Sequence, residues 1–528
     1  MLDLIIRGGK VVDGGGKTPL QVNDIGVKDG EITALGNLEN EIAKNEIKAD
    51  GKIVTPGFID LNNHSDTNWT LFQNPDQESL LFQGITTIIG GNCGSSLAPI
   101  IGEGSIKSLR KWTNLQNIQI DWDRVSELLL FIQDNRPLRL NFGTLVGHAT
   151  LRRGILEENI RPIKREEMET LKYETEKSLK EGAFGLSTGL AYTHAKIATQ
   201  DEIMALAKIV VKNNGIFTVH LRGEQEDLIS SLEEAIAIAE ETGVNLEVSH
   251  LKAVGKIAWQ KFNQALHLIG KARERQLNIN FDVYPYNFSN PVLYTLLPSR
   301  LTEYNKELVL ETLRDQRKRK EIIAEMQENS LNYSQIVVAS SPLSKLLVRK
   351  NIAEIAYSRN VSPEEVVLDL VLASDYQGTV LVKLLSEKNV TDALSNEAAI
   401  VCSDGAGYKK EDAASGNLVH ARCFGTFPRF LARYVKKREI LSLPNAINKI
   451  TGLPAKKIGL KDRGEIKKGY RADIVIWDWD KILDTATLER PFSYPEGIEY
   501  VIVNGEITAE RGVLIPGVRS GEVLKKTG

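Results

Sequence analysis

The amino-acid sequence predicts an α/β protein, a TIM-like (β/α)8 barrel joined to a small β-sandwich that is built from the two ends of the chain. Three observations lead to this prediction. Short apolar segments alternate with amphipathic helical segments through the middle of the chain, whereas both ends carry strand, glycine-turn, strand patterns. At 528 residues, the chain also exceeds one ordinary domain.

The two terminal segments share one pattern. Residues 1–54 contain β-branched runs separated by glycine turns, as in LIIRGGKVVDGGG and DIGVKDGEITALG. Residues 455–528 repeat this pattern in RADIVIWD and IEYVIVNGEITAERG. A ribbon of two or three strands is only marginally stable alone, so we predict that the segments pair in one β-sandwich. The chain would then leave this unit and return to it.

Residues 55–454 are predicted to form the barrel. Apolar strands separated by helices indicate parallel strands buried on both faces, and eight of them fit a closed barrel better than an open sheet. The connection after the seventh strand is too long for one crossover, so the sequence near residues 290–395 is predicted to be a helical insertion. The eight strand segments are IVTPGFIDLNNH, GITTIIGGN, LNFGTLVGH, GAFGLSTGL, IFTVHLRGE, VNLEVSHLK, NINFDVYPY and AAIVCSDGA.

Composition excludes several classes of partner. The 66 basic and 69 acidic residues give a net charge of -3, which provides no general attraction to nucleic acid or to anionic membranes. The sequence shows neither a signal-peptide pattern nor an apolar window long enough for a spanning helix. Its 3 cysteines are too few for a disulfide framework and suit a reducing compartment. We therefore expect a soluble, cytoplasmic protein.

Each predicted barrel strand ends at a side chain that is capable of chemistry. The carboxyl ends of barrel strands converge on one face, where active sites lie. Any one of these residues alone is most simply a core or turn residue, but several histidines together with a cysteine and an aspartate are donors suited to zinc. In strand order, these residues are His64, Cys93, His148, Ser187, His220, His250, Tyr284 and Asp404.

The other three histidines are predicted to have different roles. His267 lies in a helical segment and is expected to be structural. His194 follows the fourth strand on a loop and is kept as a candidate site residue without an assigned position. His420, on a long loop after Asp404, is expected to line the site.

Sequence blocks along nearly the whole chain point to a known family. They include PGFIDLNNHSD, GITTIIGGNCGSS, EGAFGLSTGLAY, SHLKAVG, DVYPYNFS, SDGAG and HARCFGTFPRFLARYV. In these blocks the chain resembles the N-acyl-D-amino-acid deacylases, or D-aminoacylases, of the amidohydrolase superfamily. The resemblance implies a metal-dependent hydrolase barrel that acts on linear amides.

The resemblance also implies a zinc site and a weaker second site. In the family, a tightly held metal is bound by a cysteine and two histidines, which match Cys93, His220 and His250. The second site uses two strand-one histidines and the strand-eight aspartate; here, His64 and Asp404 match, but Asn62 replaces the first histidine. An amide oxygen is a poor zinc ligand beside imidazole, so we expect one zinc ion and a weakened or lost second site.

The implied reaction is hydrolysis of N-acyl-D-amino acids to a carboxylate and a D-amino acid. A water molecule that the metal activates attacks the amide, and Asp404 acts as general base and later protonates the leaving amine. His64 is expected to hydrogen-bond Asp404 or the carbonyl oxygen. The substrate's carboxylate is expected to bind Lys252, Tyr284 and Arg422. Arg222 and Glu224 are expected to support His220.

Two alternatives remain open at this stage. One is a cyclic-amide hydrolase of the dihydroorotase or hydantoinase kind, although those relatives usually bridge two metals through a carboxylated lysine and no lysine ends the fourth strand here. The other is a catalytically impaired barrel with a binding or structural role, suggested by Asn62. The zinc content of the Cys93, His220 and His250 site discriminates this second alternative.

Overall fold

A computed structural model describes residues 1–528 apart from 111, 112, 114, 116, 117, 329, 330, 527 and 528. Within these residues, no helix is both long enough and apolar enough to cross a membrane. The strands are β1 (Leu2–Val11), β2 (Gln21–Lys28), β3 (Glu31–Gly36), β4 (Ala43–Lys48), β5 (Ile53–Pro56), β6 (Phe58–Asp60), β7 (Ile85–Gly90), β8 (Asn141–Thr144), β9 (Val146–Gly147), β10 (Gly185–Gly189), β11 (Ile216–His220), β12 (Asn245–Val248), β13 (Ile279–Val283), β14 (Ile336–Ser340), β15 (Thr379–Val382), β16 (Ala399–Val401), β17 (Ile474–Trp477), β18 (Ile498–Val503), β19 (Glu506–Glu510) and β20 (Val513–Leu514).

The helices connect the barrel strands and fill the segment between β13 and β16. The α-helices are α1 (Thr70–Gln73), α2 (Glu78–Leu81), α3 (Val125–Asn135), α4 (His148–Leu156), α5 (Arg165–Lys180), α6 (Thr193–Lys196), α7 (Gln200–Lys212), α8 (Leu228–Thr242), α9 (Lys256–Glu274), α10 (Lys306–Arg314), α11 (Gln316–Glu328), α12 (Ile352–Arg359), α13 (Pro363–Ala373), α14 (Glu387–Ser395), α15 (Arg422–Arg429), α16 (Leu443–Asn448) and α17 (Gly452–Ile458).

The predicted barrel is confirmed. Strands β6, β7 and β8 form one parallel sheet, and a second parallel sheet has the order β16-β13-β12-β11-β10-β9. Only Leu145 separates β8 from β9, which together make the third barrel strand. The ring closes where Asn63 pairs with Gly405. Two backbone hydrogen bonds support this closure, from Asp404 N to Asn62 O at 2.9 Å and from His64 N to Gly405 O at 2.7 Å.

The two ends of the chain share one β unit, as expected. Strand β5 pairs antiparallel with β17, with Val54 opposite Ile476, and this pairing joins the N-terminal and C-terminal strands into one continuous 9-stranded sheet. Buried residues from both ends, including Ile25 and Ile502, pack into a common core. The predicted divisions at 54/55 and 454/455 lie within β5 and α17 and remain predictions.

The segment between β13 and β16 has a core of its own. Buried residues such as Leu301, Ile322, Val367 and Val380 pack together there. Helices α10 to α14 lie in this segment, together with an antiparallel pair, β14 and β15, that the sequence did not reveal. The helical insertion near residues 290–395 stays a prediction. This segment also supplies Tyr294 and Tyr376 to the wall of a cavity that barrel residues share.

The loop that carries Cys93 packs very closely against β10. Gly94 N donates a hydrogen bond to Ser187 Oγ at 3.0 Å, and Ser187 Oγ donates to Gly91 O. A Cβ atom at Gly189 would lie 2.4 Å from the carbonyl oxygen of Cys93. Because this neighbour is backbone, only glycine fits at position 189 without moving the loop.

We expect Gly189→Ala to lower the free energy of unfolding by about 1–3 kcal/mol, since overpacking against backbone forces a shift. The matched control is Gly270→Ala in α9, where a Cβ would meet no described atom within 4 Å. That substitution should raise stability by up to about 1 kcal/mol, because alanine is the better helix former. Thermal unfolding midpoints measure both effects, and a Gly189→Ala protein as stable as the parent would contradict the close approach.

Candidate metal centre and active site

Three buried donors meet at the carboxyl ends of the barrel strands. Cys93 follows β7, His220 ends β11 and His250 follows β12, and their ligand atoms all lie within 4.8 Å of one another. Cys93 Sγ is 3.6 Å from His220 Nδ1 and 3.4 Å from His250 Nε2. One thiol and two imidazoles are a zinc-type donor set, and three protein ligands leave a position open for catalysis.

The protonation of Cys93 suits a metal ligand. Burial alone would raise the pKa of its thiol, but the imidazoles of His250 and His220 lower that pKa well below its ordinary value. The thiolate is the form that binds metals. The chemistry and the electrostatics of these residues therefore fit a zinc ion.

Backbone conformation also marks this face of the barrel. Cys93, His250 and Asp404 have φ angles of 52°, 37° and 47°, in the left-handed region that non-glycine residues rarely adopt. All three lie two or three residues beyond the end of a barrel strand. Such unfavourable conformations persist where the surrounding structure imposes them, and they cluster at functional sites.

Glu224 and Lys252 lie behind the two histidines. Glu224 Oε1 is 3.4 Å from His250 Nδ1 and 3.8 Å from His220 Nε2. Lys252 forms an ion pair with Glu224, and its Nζ is 2.9 Å from His250 Nδ1. The outer nitrogens of metal-binding histidines are usually held in this way, which fixes the orientation of the rings.

Asp404 connects two other predicted site residues. Its Oδ1 is 3.0 Å from His64 Nε2, and its Oδ2 is 2.7 Å from the Arg422 guanidinium. Burial alone would raise the pKa of Asp404, but Arg422, His250 and His64 together lower it below its ordinary value. The guanidinium carbon of Arg422 lies 4.7 Å from the centre of the Tyr284 ring. His64 also interacts with Cys93, which places this group beside the three donors.

Asn62 is turned toward the interior of the barrel. Its Nδ2 lies 3.2 Å from Asp282 Oδ1, and among the described residues its own Oδ1 has no hydrogen-bond partner. Asp282 also accepts hydrogen bonds from His250 N at 2.8 Å and from the Cys402 thiol at 2.7 Å. The Asn62 amide thus helps to hold a carboxylate that supports the backbone of His250.

Two residues expected near the donors are bound elsewhere. His148 Nε2 lies 2.8 Å from Glu202 Oε1 and its Nδ1 lies 2.9 Å from Thr188 Oγ1, so its ring belongs to a buried cluster outside the metal centre. Arg222 forms an ion pair with Glu234 at 2.7 Å. The expectation that Arg222 supports His220 was wrong, because a closer carboxylate and backbone carbonyls bind its guanidinium.

The remaining histidines also have distinct positions. His420 contacts the backbone of Arg422, because its Nδ1 accepts a hydrogen bond from Arg422 N at 3.0 Å. Its Nε2 lies 2.9 Å from Phe288 O. His267 is on α9, as predicted, but it is exposed and packs in no core. His194 is buried in the wall of a cavity beside the centre.

The sequence interpretation missed the supporting role of Asp282. The segment NINFDV places this acid within an apolar strand, and burial raises the pKa of Asp282 to about 6. An acidic residue within a buried strand requires hydrogen-bonding partners. That requirement was the available signal, although it does not identify His250, Asn62 and Cys402 as the partners.

Comparisons with known proteins agree with this geometry. The model of the Amidohydrolase family matches residues 403–509. The D-aminoacylase of Alcaligenes xylosoxydans xylosoxydans is 30% identical over 525 residues, which cover 99% of this chain and 98% of that protein.

Two solved structures extend the comparison. The N-acyl-D-glutamate deacylase of Bordetella bronchiseptica, in complex with zinc and a phosphonate inhibitor, is 28% identical with a TM-score of 0.83, and the match covers 99% of this chain and 100% of that one. The L-hydantoinase of Arthrobacter aurescens, at 17% identity and a TM-score of 0.59 over 100% of both chains, shows the fold alone. Because the similarity to the D-aminoacylase extends over nearly the full length, the chain belongs to the D-aminoacylase family of metal-dependent amidohydrolases.

Proposed function

We propose that this protein hydrolyses the amide bond of N-acyl-D-amino acids and releases a carboxylate and a D-amino acid, with one zinc ion held by Cys93, His220 and His250. The observation that carries this proposal is the position of the Asp404 carboxylate, which His64 links to the three zinc-type donors. The family membership of the chain and the zinc in the related deacylase structure support it.

Asp404 is the proposed general base. When bound, a zinc ion supplies the Lewis acidity that makes water nucleophilic at neutral pH. Asp404 takes the proton from the attacking water and passes it to the amide nitrogen as the C–N bond breaks. His64 holds Oδ1 of this carboxylate, and Arg422 holds Oδ2.

Arg422 has a second proposed role, in binding the α-carboxylate of the substrate. A carboxylate that pairs with Arg422 weakens the hold of this cation on Asp404 and so raises the basicity of the aspartate. Tyr284, whose hydroxyl has no partner within the described part of the chain, supplies a further donor. Lys252 stays a predicted carboxylate ligand, although its present contacts are Glu224 and His250.

The alternatives are separated by experiment. A cyclic-amide hydrolase would release no amine from linear N-acyl-D-amino acids and would open cyclic amides instead. An impaired barrel would neither retain zinc nor hydrolyse any amide.

The cytoplasmic location stays a prediction from the sequence.

We expect the purified protein to contain about one zinc ion per chain and His250→Ala to contain almost none, because a structural or catalytic zinc needs at least three protein ligands. Exposed His267 on α9 is the control, and His267→Ala should keep the parental zinc content. Metal analysis measures the content, and amine release from N-acetyl-D-amino acids, with L-enantiomers as controls, measures activity. Zinc retention by His250→Ala would exclude this donor set.

We expect Asp404→Asn to lower kcat by about 10²–10⁴-fold, the range for loss of a general base, without loss of the tight zinc ion. The isosteric amide keeps the shape of the side chain but cannot take a proton. Asp462→Asn is the control, since the Asp462 side chain is 54% exposed. A kcat close to that of the parent would show that Asp404 is not the base.

We expect Asn62→His to raise the zinc content from about one toward about two ions per chain at high zinc concentration, because imidazole replaces a poor amide ligand beside His64 and Asp404. Asn62→Gln, which keeps an amide, serves as the control. Calorimetric zinc titration measures both variants. If Asn62→His binds no additional zinc, Asn62 is not what limits the second site.

A further inference from the structure

A cavity that opens to solvent lies beside the metal centre. We call it the side cavity; its wall includes Ser95, Arg153, Tyr192 and His194 from the barrel and Tyr294 and Tyr376 from the segment between β13 and β16. Tyr192 links it to the centre, because the centre of its ring lies 4.9 Å from that of His220. Tyr192 is thus shared by the wall of the side cavity and the surroundings of the metal centre.

The wall of the side cavity carries excess positive charge. Lys107, Arg110, Arg153 and Lys306 line it, against two carboxylates, Glu158 and Asp375. Asp375 pairs with Lys306 at the rim. Glu158 is shared between two guanidinium groups, at 2.8 Å from Arg110 and 2.9 Å from Arg153. One carboxylate cannot neutralise two cations, so the wall favours a further anion.

Two polar side chains in the same wall, one buried and one half-buried, carry buried polar atoms without hydrogen-bond partners among the residues described. His194 is 2% exposed, and neither of its ring nitrogens has a hydrogen-bond partner among the residues described; the Tyr376 hydroxyl is also unpartnered there. Burial, reinforced by Arg153 and other nearby cations, lowers the pKa of His194 to about 2, so its ring is neutral and carries one N–H donor. A buried polar group without a hydrogen-bond partner destabilises the folded protein, and a bound acceptor removes that cost.

The side cavity lies across the barrel mouth from the proposed α-carboxylate site. Ser95 and His194 follow the second and fourth barrel strands, β7 and β10, whereas Tyr284 and Arg422 follow the seventh and eighth, β13 and β16. A substrate that places its α-carboxylate at Arg422 and its amide at the metal centre therefore directs another group toward the side cavity.

We propose that the side cavity binds a second carboxylate of the substrate, so that the preferred substrates are N-acyl-D-amino acids with two carboxylates. This inference rests on the proposed function. The second carboxylate has two possible sources, the amino-acid side chain and the end of the acyl group. Arg153, His194 and Tyr376 supply the cation and the two donors that recognise it.

The first test compares substrates that differ in this charge. N-acetyl-D-glutamate is compared with N-acetyl-D-glutamine, and N-succinyl-D-methionine with N-acetyl-D-methionine. We expect kcat/KM to favour the acidic member by about tenfold or more in one pair, which identifies the source, since charge-assisted hydrogen bonds are the strong ones. Equal or lower values for the acid in both pairs would overturn the inference and leave the proposed function intact.

Two variants test whether the preference for the acidic substrate arises from the side cavity. Arg153→Met and Tyr376→Phe should each lower the ratio of kcat/KM for the acidic substrate to that for its neutral partner, by about tenfold for the lost cation and by less for the hydroxyl. Tyr376→Phe removes a hydroxyl without a described partner, so it should fold like the parent. Arg317→Met, at a side chain 90% exposed on α11, is the control and should keep the parental ratio. An unchanged ratio in both variants would refute the assignment.

A binding measurement tests the side cavity independently of the proposed hydrolysis reaction. Calorimetry with the zinc-loaded full chain compares D-glutamate with D-glutamine and succinate with acetate. Tighter binding of the more acidic ligand in one pair, abolished by Arg153→Met, would support the side cavity even if no N-acyl-D-amino acid were hydrolysed. Equal binding within both pairs, in a protein that hydrolyses neutral substrates, would overturn the side cavity alone.

Discussion

The closure of the barrel between its first and last strands is the constraint on which the rest of the structure depends. The backbone of Asp404 donates to Asn62 O, and His64 N donates to Gly405 O. These bonds bring His64 and Asp404, 340 residues apart in sequence, to 3.0 Å. Because a closed ring leaves no freedom in the relative positions of its strand ends, the same closure sets Asp404 beside the donors at the carboxyl ends of β7, β11 and β12.

The site is assembled at some cost in local conformational energy. Cys93, His250 and Asp404 adopt left-handed backbone conformations, and Gly189 allows β10 to approach the carbonyl of Cys93. Such backbone conformations persist only where the surrounding structure imposes them. Here the barrel strands and their hydrogen bonds impose them. The large buried core of the barrel offsets this local cost. Rigid strand ends therefore carry the chemistry, while the longer loops and the segment before β16 shape the surroundings.

Buried charge is balanced differently on the two sides of the metal centre. In the barrel interior, burial raises the pKa values of Asp60 and Asp282 to about 6. Uncharged donors such as the Asn62 amide form hydrogen bonds to Asp282 there. The amide of Asn62 makes this contact with Asp282 without a metal ion. Around the mouth, by contrast, arginine side chains dominate, at Asp404 on one side and at Glu158 on the other. A substrate with negative charge at both ends matches this distribution.

The sequence by itself determined the barrel fold and the shared terminal β unit, and its resemblance to the D-aminoacylases pointed to Cys93, His220 and His250, whose ligand atoms lie within 4.8 Å of one another in the structure. Alternating apolar strands and helices leave few ways to bury both faces of a sheet, and donor residues at strand ends must then converge. Only the tertiary structure decided which partner each polar side chain takes. Lys252 faces Glu224, Arg222 faces Glu234, and His148 faces Glu202. Hydrogen bonds and ion pairs form only over a few ångströms. Which residues come that close depends on how distant parts of the chain pack together, so the sequence alone does not identify the partner of a polar side chain.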